Sequence, residues 1–270
     1  MREYKDLVGR ILSKGEEYSD RTGKGTLAIF GETLTVDLAD GFPIVTARKI
    51  DFSQAVGELA TFLKGQTKKS EFRANGCNYW DKFGRPDIDD LGPIYGKQWV
   101  DWECPPFGKD KKTWLNQLDV LVAMIKNDPA SRRLILQTWN PGEINEMVLP
   151  PCHISAQYNV HKGKLDSIVT MRSCDVMLGL PYDMVVYALL QHLLAQQTGL
   201  KVGTMRFDLH NAHIYLPHVM DAIRFEKLEV FKSPDLVIGP NVTIWNFDPD
   251  LDVTLLGYNH GPVMKFELFV

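Results

Sequence analysis

No apolar run in this chain approaches the roughly 20 residues needed to cross a bilayer, and the opening Met1-Arg2-Glu3-Tyr4-Lys5-Asp6 has no apolar signal-peptide core. The expectation is a cytoplasmic protein with no membrane partner. Cysteine is scarce: Cys77, Cys104, Cys152 and Cys174 are irregularly spaced and form no CxxC pair, so neither a disulfide framework nor a metal site is signalled. Positive charge is not in surplus either. A net charge of −4 over 270 residues argues against a nucleic-acid partner, although a local group of arginines can still hold a small phosphate. Repeats, low-complexity tracts and linkers are missing. What is present, 44% hydrophobic and 24% charged residues, suffices for a full core, and it predicts one α+β domain over residues 1–270.

Periodicity sketches the elements. Tyr4, Leu7, Val8, Ile11 and Leu12 share a helical face over 2–17. Residues 26–38 alternate as a strand through Leu27, Ile29, Leu34, Val36 and Leu38, with a bend or bulge at Gly31. Helical spacing returns at 52–64 and 114–126, and a long apolar helix is predicted at 182–198. Strands are predicted at 133–139, 154–161, 165–171, 204–210 and 252–257. Residues 66–112, rich in Gly, Pro, Asp and Lys, read as a long irregular segment of the kind that is usually functional.

Chemistry concentrates around Leu149-Pro150-Pro151-Cys152-His153. A thiolate is soft enough to add to C6 of a pyrimidine, where a serine would need a strong base. The two prolines fix the backbone before Cys152. Arg132 and Arg133 at a loop-to-strand junction, with Arg21 and Arg172, offer forks that match a phosphate monoester. Such a cluster is expected to lower the Cys152 pKa. Glu58 lies on the apolar face of the 52–64 helix, where a carboxylate is costly without a partner; periodicity alone favours an edge position that reaches solvent. His213 and Tyr215 alternate along a strand end and share a face that suits a sugar hydroxyl.

In order along nearly the whole chain, Asp20-Arg21-Thr22-Gly23, Gly41-Phe42-Pro43, Leu91-Gly92-Pro93-Ile94-Tyr95-Gly96-Lys97-Gln98-Trp99, Ser131-Arg132-Arg133, Pro150-Pro151-Cys152-His153, Arg172-Ser173-Cys174-Asp175-Val176, Gly179-Leu180-Pro181 and His213-Ile214-Tyr215 resemble the thymidylate synthase family. The resemblance implies a mixed β-sheet packed with helices in a single domain, an obligate homodimer, a pyrimidine deoxynucleotide substrate, 5,10-methylenetetrahydrofolate as co-substrate and no metal. It casts Cys152 as nucleophile and Glu58 as the manager of ring protons through water. Arg21, Arg172 and Ser173 would bind the phosphate, Arg132 and Arg133 would come from the partner subunit, and His213 and Tyr215 would hold the 3′-hydroxyl. Asp175 would touch both substrates. Trp80, Tyr95, Asp175 and Gly179 would line the folate side, closed by the segment ending at Val270.

Two positions depart from the synthase pattern, which carries Asn at Asp183 and usually Gln at Met171. Cytosine inverts the base edge of uracil, presenting an acceptor at N3 and an amino donor at C4. A carboxylic acid can accept from the amino group and deliver a proton to N3, whereas an ionised Asp183 would face O4 of uracil, acceptor against acceptor. Asp183 and Met171 together look like the pattern of phage dCMP hydroxymethylases of the same superfamily. The expected activity is conversion of dCMP to 5-hydroxymethyl-dCMP. Trp80 and the stretch from Tyr95 to Trp99 keep a dCMP methyltransferase open, with thymidylate synthesis on dUMP ranked lower. A Cys152–His153 hydrolase is disfavoured because neighbours on a strand face opposite ways. A nucleotide-binding protein without turnover is the remaining alternative.

Overall fold

The computed structural model describes residues 1–104 and 113–269. Helix α1 (Arg2–Lys14) lays Tyr4, Leu7, Val8 and Ile11 into the core, then the chain turns through β1 (Glu16–Tyr18) into β2 (Thr26–Asp37). Helices α2 (Phe52–Leu63), α3 (Lys69–Ala74) and α4 (Tyr95–Val100) lead to the short ribbon of β3 (Trp102–Cys104) and β4 (Thr113–Leu115). After α5 (Gln117–Asn127) come β5 (Ile135–Gln137), β6 (His153–His161), β7 (Lys164–Met171) and β8 (Cys174–Asp175). Helix α6 (Leu180–Thr198) crosses to the long β9 (Lys201–Tyr215), followed by α7 (Val219–Glu226) and a hairpin of β10 (Asp235–Ile238) and β11 (Val253–Leu256).

One mixed sheet organises these elements in the order β1-β2-β9-β7-β6-β5, with β8 also paired to β9. Only β7 and β8 run parallel to β9 within it, and α6 supplies the crossover from β8 to β9. Helix α6 is buried along most of its length, as the absence of a polar stripe in its sequence requires. It ends at Gly199, whose φ of 72° is the left-handed cap that glycine accepts. This mixed sheet with flanking helices is the α+β architecture expected from the sequence.

Several expected boundaries need correction. Strand β9 runs from 201 to 215, well past 204–210, because the polar stretch Asn211–Tyr215 pairs with β2 and β8. In β2 the core side chains before the bend are Thr26 and Ala28, while Leu27 and Ile29 are only half-buried. Gly31, at φ 91°, does interrupt the ladder between Phe30 and Glu32. Residues 66–104 are not one irregular loop: the Glu71 carboxylate accepts from the N–H groups of Thr67 and Lys68 and starts α3, and α4 packs on α2. These helices are six residues each, too short for periodicity to register. The remainder of that predicted loop, 105–112, lies outside the described residues.

Glycine permits the closest helix contact. A Cβ on Gly96 would stand 2.6 Å from Phe62 Cα, so α4 can lie directly against the α2 backbone and carry Tyr95 to the site. Among the described residues no helix is long and apolar enough to cross a membrane, and no group of three His, Cys, Asp or Glu could hold a metal ion.

Candidate active site

Cys152 sits between the Pro150-Pro151 turn and the first residue of β6. Arg172, one residue past β7, holds that turn from inside: Nε donates to the Pro151 carbonyl and Nη2 to the Pro150 carbonyl, both at 2.8 Å. Its own N–H donates to the Cys152 carbonyl at 2.9 Å, and its guanidinium lies over the Trp139 ring. From the other side the Cys152 N–H donates to the Tyr95 hydroxyl at 2.9 Å. Burial pushes the Cys152 thiol above its ordinary pKa, while Arg172 pulls it down less strongly. The expected lowering of this pKa is therefore corrected: one partly buried guanidinium does not outweigh desolvation.

Glu58 does not reach solvent. It is buried on α2, where its Oε1 accepts from Trp80 Nε1 at 2.7 Å. Burial raises its pKa to about 7, against the opposing pull of Tyr79 and Trp80. Asp183, in the first turn of α6, is likewise held well above the carboxylate range, by burial first and then by the charges of Glu58 and Asp175. His153 links this pair to the core. Its ring stacks on Tyr95 at 4.2 Å, Nδ1 meets the Tyr187 hydroxyl at 2.7 Å, and Nε2 lies 3.5 Å from Asp183 Oδ1. Burial lowers the His153 pKa to about 3, so near neutrality the imidazole is uncharged. With both ring nitrogens turned toward Tyr187 and Asp183, it is not arranged as a base for Cys152.

Asp175 on β8 caps the start of the next turn, accepting from the N–H groups of Met177 and Leu178 at 3.0 Å each. Burial raises its pKa, against the opposing pull of His213 and His218 nearby. His213 and Tyr215 lie together on β9, their rings 5.2 Å apart. His213 Nδ1 meets Asn211 Oδ1 at 2.9 Å, and the Tyr215 hydroxyl donates to the Phe269 carbonyl at 3.3 Å. Phe269 stacks on His218 at 5.1 Å and Phe266 lies beneath Arg48. The last described stretch of chain thus rests on Tyr215. Val270 lies outside the described residues.

The phosphate candidates are divided. Arg172 is at the site and Ser173 follows it, half-buried. Arg21 is exposed in the turn between β1 and β2, and Arg132 and Arg133 are exposed before β5 at the sheet edge. Met171 is fully buried at the end of β7, and Gly179 starts α6.

Trp80 and Tyr95 are also almost wholly buried, each 3% exposed, with their polar atoms committed to Glu58 and to the Cys152 N–H. The half-buried rings Tyr79 and Tyr182 pair at 5.3 Å, with Arg48 and Asp51 as the first charged neighbours of Tyr182. Flat aromatic surface beside a buried guanidinium suits a ring system that carries carboxylates, as a folate does. Sequence reasoning missed Arg48, Tyr79, Tyr182, Tyr187 and His218. Arg48 had a faint signal as the first charge after Ile44-Val45-Thr46-Ala47. The family model for thymidylate synthase matches residues 2–270.

Proposed function

The chain belongs to the thymidylate synthase family, and from that premise we propose that it acts on dCMP and forms 5-hydroxymethyl-dCMP. Membership makes it a transferase that carries out folate-dependent one-carbon transfer to C5 of a pyrimidine nucleotide. The observation that carries the finer reading is the Asp183 carboxyl in the first turn of α6, where burial and the neighbouring charges of Glu58 and Asp175 favour its protonated form. A protonated carboxyl matches the cytosine edge: O–H donates to N3, and the other oxygen accepts from the C4 amino group. Uracil offers an N–H at N3 and a carbonyl at C4, which leaves this arrangement mispaired.

Cys152 Sγ forms a bond to C6, and the ring electrons move toward C5 and N3. Asp183 delivers its proton at N3 and stabilises the adduct. The Cys152 thiol gives its proton to water, and the Arg172 cation favours the thiolate. Methylenetetrahydrofolate, when bound, would supply to C5 a one-carbon unit at the oxidation level of formaldehyde and leave as tetrahydrofolate. Glu58, poised near pH 7, removes the C5 proton through water and then activates the water that adds to the exocyclic carbon. Elimination of Cys152 restores the ring. Arg21, Arg172 and Ser173 grip the phosphate, Arg132 and Arg133 join from the second subunit of a homodimer, and His213 with Tyr215 orients the deoxyribose. Asp175 stands between the nucleotide and the folate. Tyr95, Trp80 and Gly179 support the folate side together with Tyr79 and Tyr182.

One observation favours a second reading. Trp80 packs between Phe72 and Phe83 and shields Glu58 from bulk water, which suits a hydride step giving 5-methyl-dCMP and dihydrofolate. Incubation with methylenetetrahydrofolate and an equimolar mixture of dCMP and dUMP, read by mass spectrometry, tests all of this. Gain of CH2O on dCMP is the expected result. Gain of CH2 with dihydrofolate supports the second reading, and conversion of dUMP alone overturns both.

A further inference from the structure

The Tyr79 ring is half-buried, yet its hydroxyl is wholly buried and has no hydrogen-bond partner among the described residues. A buried O–H left unmade is costly, so such a group normally meets a water or a ligand. Tyr79 opens the single helical turn Tyr79–Lys82, with Trp80 as its next residue, and both side chains turn to Glu58. Trp80 Nε1 occupies Glu58 Oε1 at 2.7 Å, and the Tyr79 hydroxyl is near enough for it and Glu58 to shift each other's titration. Cys77 and Asp183 are the further titratable groups that act on this hydroxyl. The ring is held edge-on by Tyr182 at 5.3 Å, the residue before Asp183 in the first turn of α6. Bulk water has little access to this place: Trp80 is 3% exposed and packs against Phe72 at 5.0 Å and Phe83 at 4.9 Å.

We propose that Tyr79 is a positioning residue: its hydroxyl and the Glu58 carboxyl together hold one water, and this is the water that adds to the exocyclic carbon to give the hydroxymethyl product. The inference rests on the hydroxymethyl reading of the reaction. An ionised carboxylate only accepts, so the water donates to Glu58, and the tyrosine, which keeps its proton near neutrality, donates to the water. One lone pair of the water is then left for carbon. As the water oxygen bonds to the exocyclic carbon, one water proton passes to Glu58 and the electron pair of the exocyclic double bond moves into the ring. Cys152 then leaves C6 with the electrons of the C–S bond, and the C5–C6 double bond is restored. Nothing is oxidised or reduced in this step, and the folate has already separated from the carbon as tetrahydrofolate. Without the Tyr79 hydroxyl the carbon waits longer for water, and the competing hydride from tetrahydrofolate, which itself becomes dihydrofolate, gains.

Tyr79→Phe in the full chain tests this, because it keeps the ring and removes only the oxygen. With dCMP and methylenetetrahydrofolate in buffer containing 2-mercaptoethanol, mass spectrometry separates gain of CH2O, gain of CH2, and the thioether formed when the added thiol captures the exocyclic carbon. Relative to the parent, the ratio of hydroxymethyl product to the other two is expected to fall about tenfold, the order of one lost hydrogen bond to the attacking water. A merely structural role would lower total turnover and leave that ratio unchanged. An unchanged ratio in Tyr79→Phe, with a parent that forms 5-hydroxymethyl-dCMP, overturns the proposal alone. A parent that adds only CH2 overturns the hydroxymethyl reading and the water assignment together. A crystal structure of the parent with dCMP decides the matter where Tyr79→Phe fails to fold: a water within hydrogen-bond distance of both Tyr79 Oη and Glu58 is expected, and a direct Tyr79–Glu58 bond without such a water overturns the proposal.

Discussion

Trp80 Nε1 and Glu58 Oε1 are joined at 2.7 Å inside a helix face that is otherwise apolar, and this bond anchors a carboxyl whose pKa burial has moved from 4.5 to about 7. Between those two values the folded protein retains a proton that the unfolded chain has released. Stability therefore falls as pH rises through that window and is flat above it. Glu58→Gln, which carries no charge, is expected to gain up to about 3 kcal/mol over the parent at pH 8 and little below pH 4.5. Its turnover should drop about 100-fold or more. Urea unfolding at several pH values, with assays alongside, checks both; a gain independent of pH would remove the burial argument.

Cys152 is held protonated at rest by burial, against the pull of Arg172. Alkylation by iodoacetamide is expected to be slow at pH 7 and to accelerate about tenfold per pH unit through pH 8. A rate that levels off below pH 8 would mean that the guanidinium, not burial, dominates the thiol.

Asp183→Asn replaces a proton-bearing oxygen with an amide that pairs with uracil. The kcat/KM ratio of dCMP to dUMP is expected to fall by at least about 100-fold, because a site built around a hydrogen-bond pattern rejects the mismatched base strongly. Steady-state kinetics on both nucleotides measure it. An unchanged ratio would refute the role given to Asp183.

Arg132 and Arg133 are exposed before β5 at the edge of the sheet. The pair changed to alanine is expected to lose activity and to bind dCMP at least about tenfold more weakly at low salt. Mixing that variant with Cys152→Ala should regain activity, since one site of a mixed dimer then has an intact thiol and arginines from across the interface. Absence of recovery, with mixed dimers verified by mass, would place these arginines outside the partner's site.

Much of the fold was legible where chemistry repeats along the chain. The apolar spacing of Tyr4, Leu7, Val8 and Ile11 marked α1, and the apolar run from Met184 to Leu190 marked α6. The end of β9 was hidden because Asn211, His213 and Tyr215 are polar and their pairing partners on β2 are distant in sequence. Helices α3 and α4 were hidden by their shortness. Leu27 and Ile29 misled because they flank a bend at which half-buried and buried faces are hard to tell apart from alternation alone.

By itself the sequence determined which reactive groups exist and their order, because side-chain identity is local: a thiol after two prolines, a carboxyl at Asp183, arginines before β5 and after β7. Protonation was decided only by tertiary structure. Burial acts through space, from positions far along the chain, and outweighs the opposing pull of Trp80 on Glu58 and of Arg172 on Cys152, so Glu58 became a base near neutrality, Cys152 a protonated thiol and His153 an uncharged ring. Desolvation depends on what surrounds a group, and the linear chain does not record that.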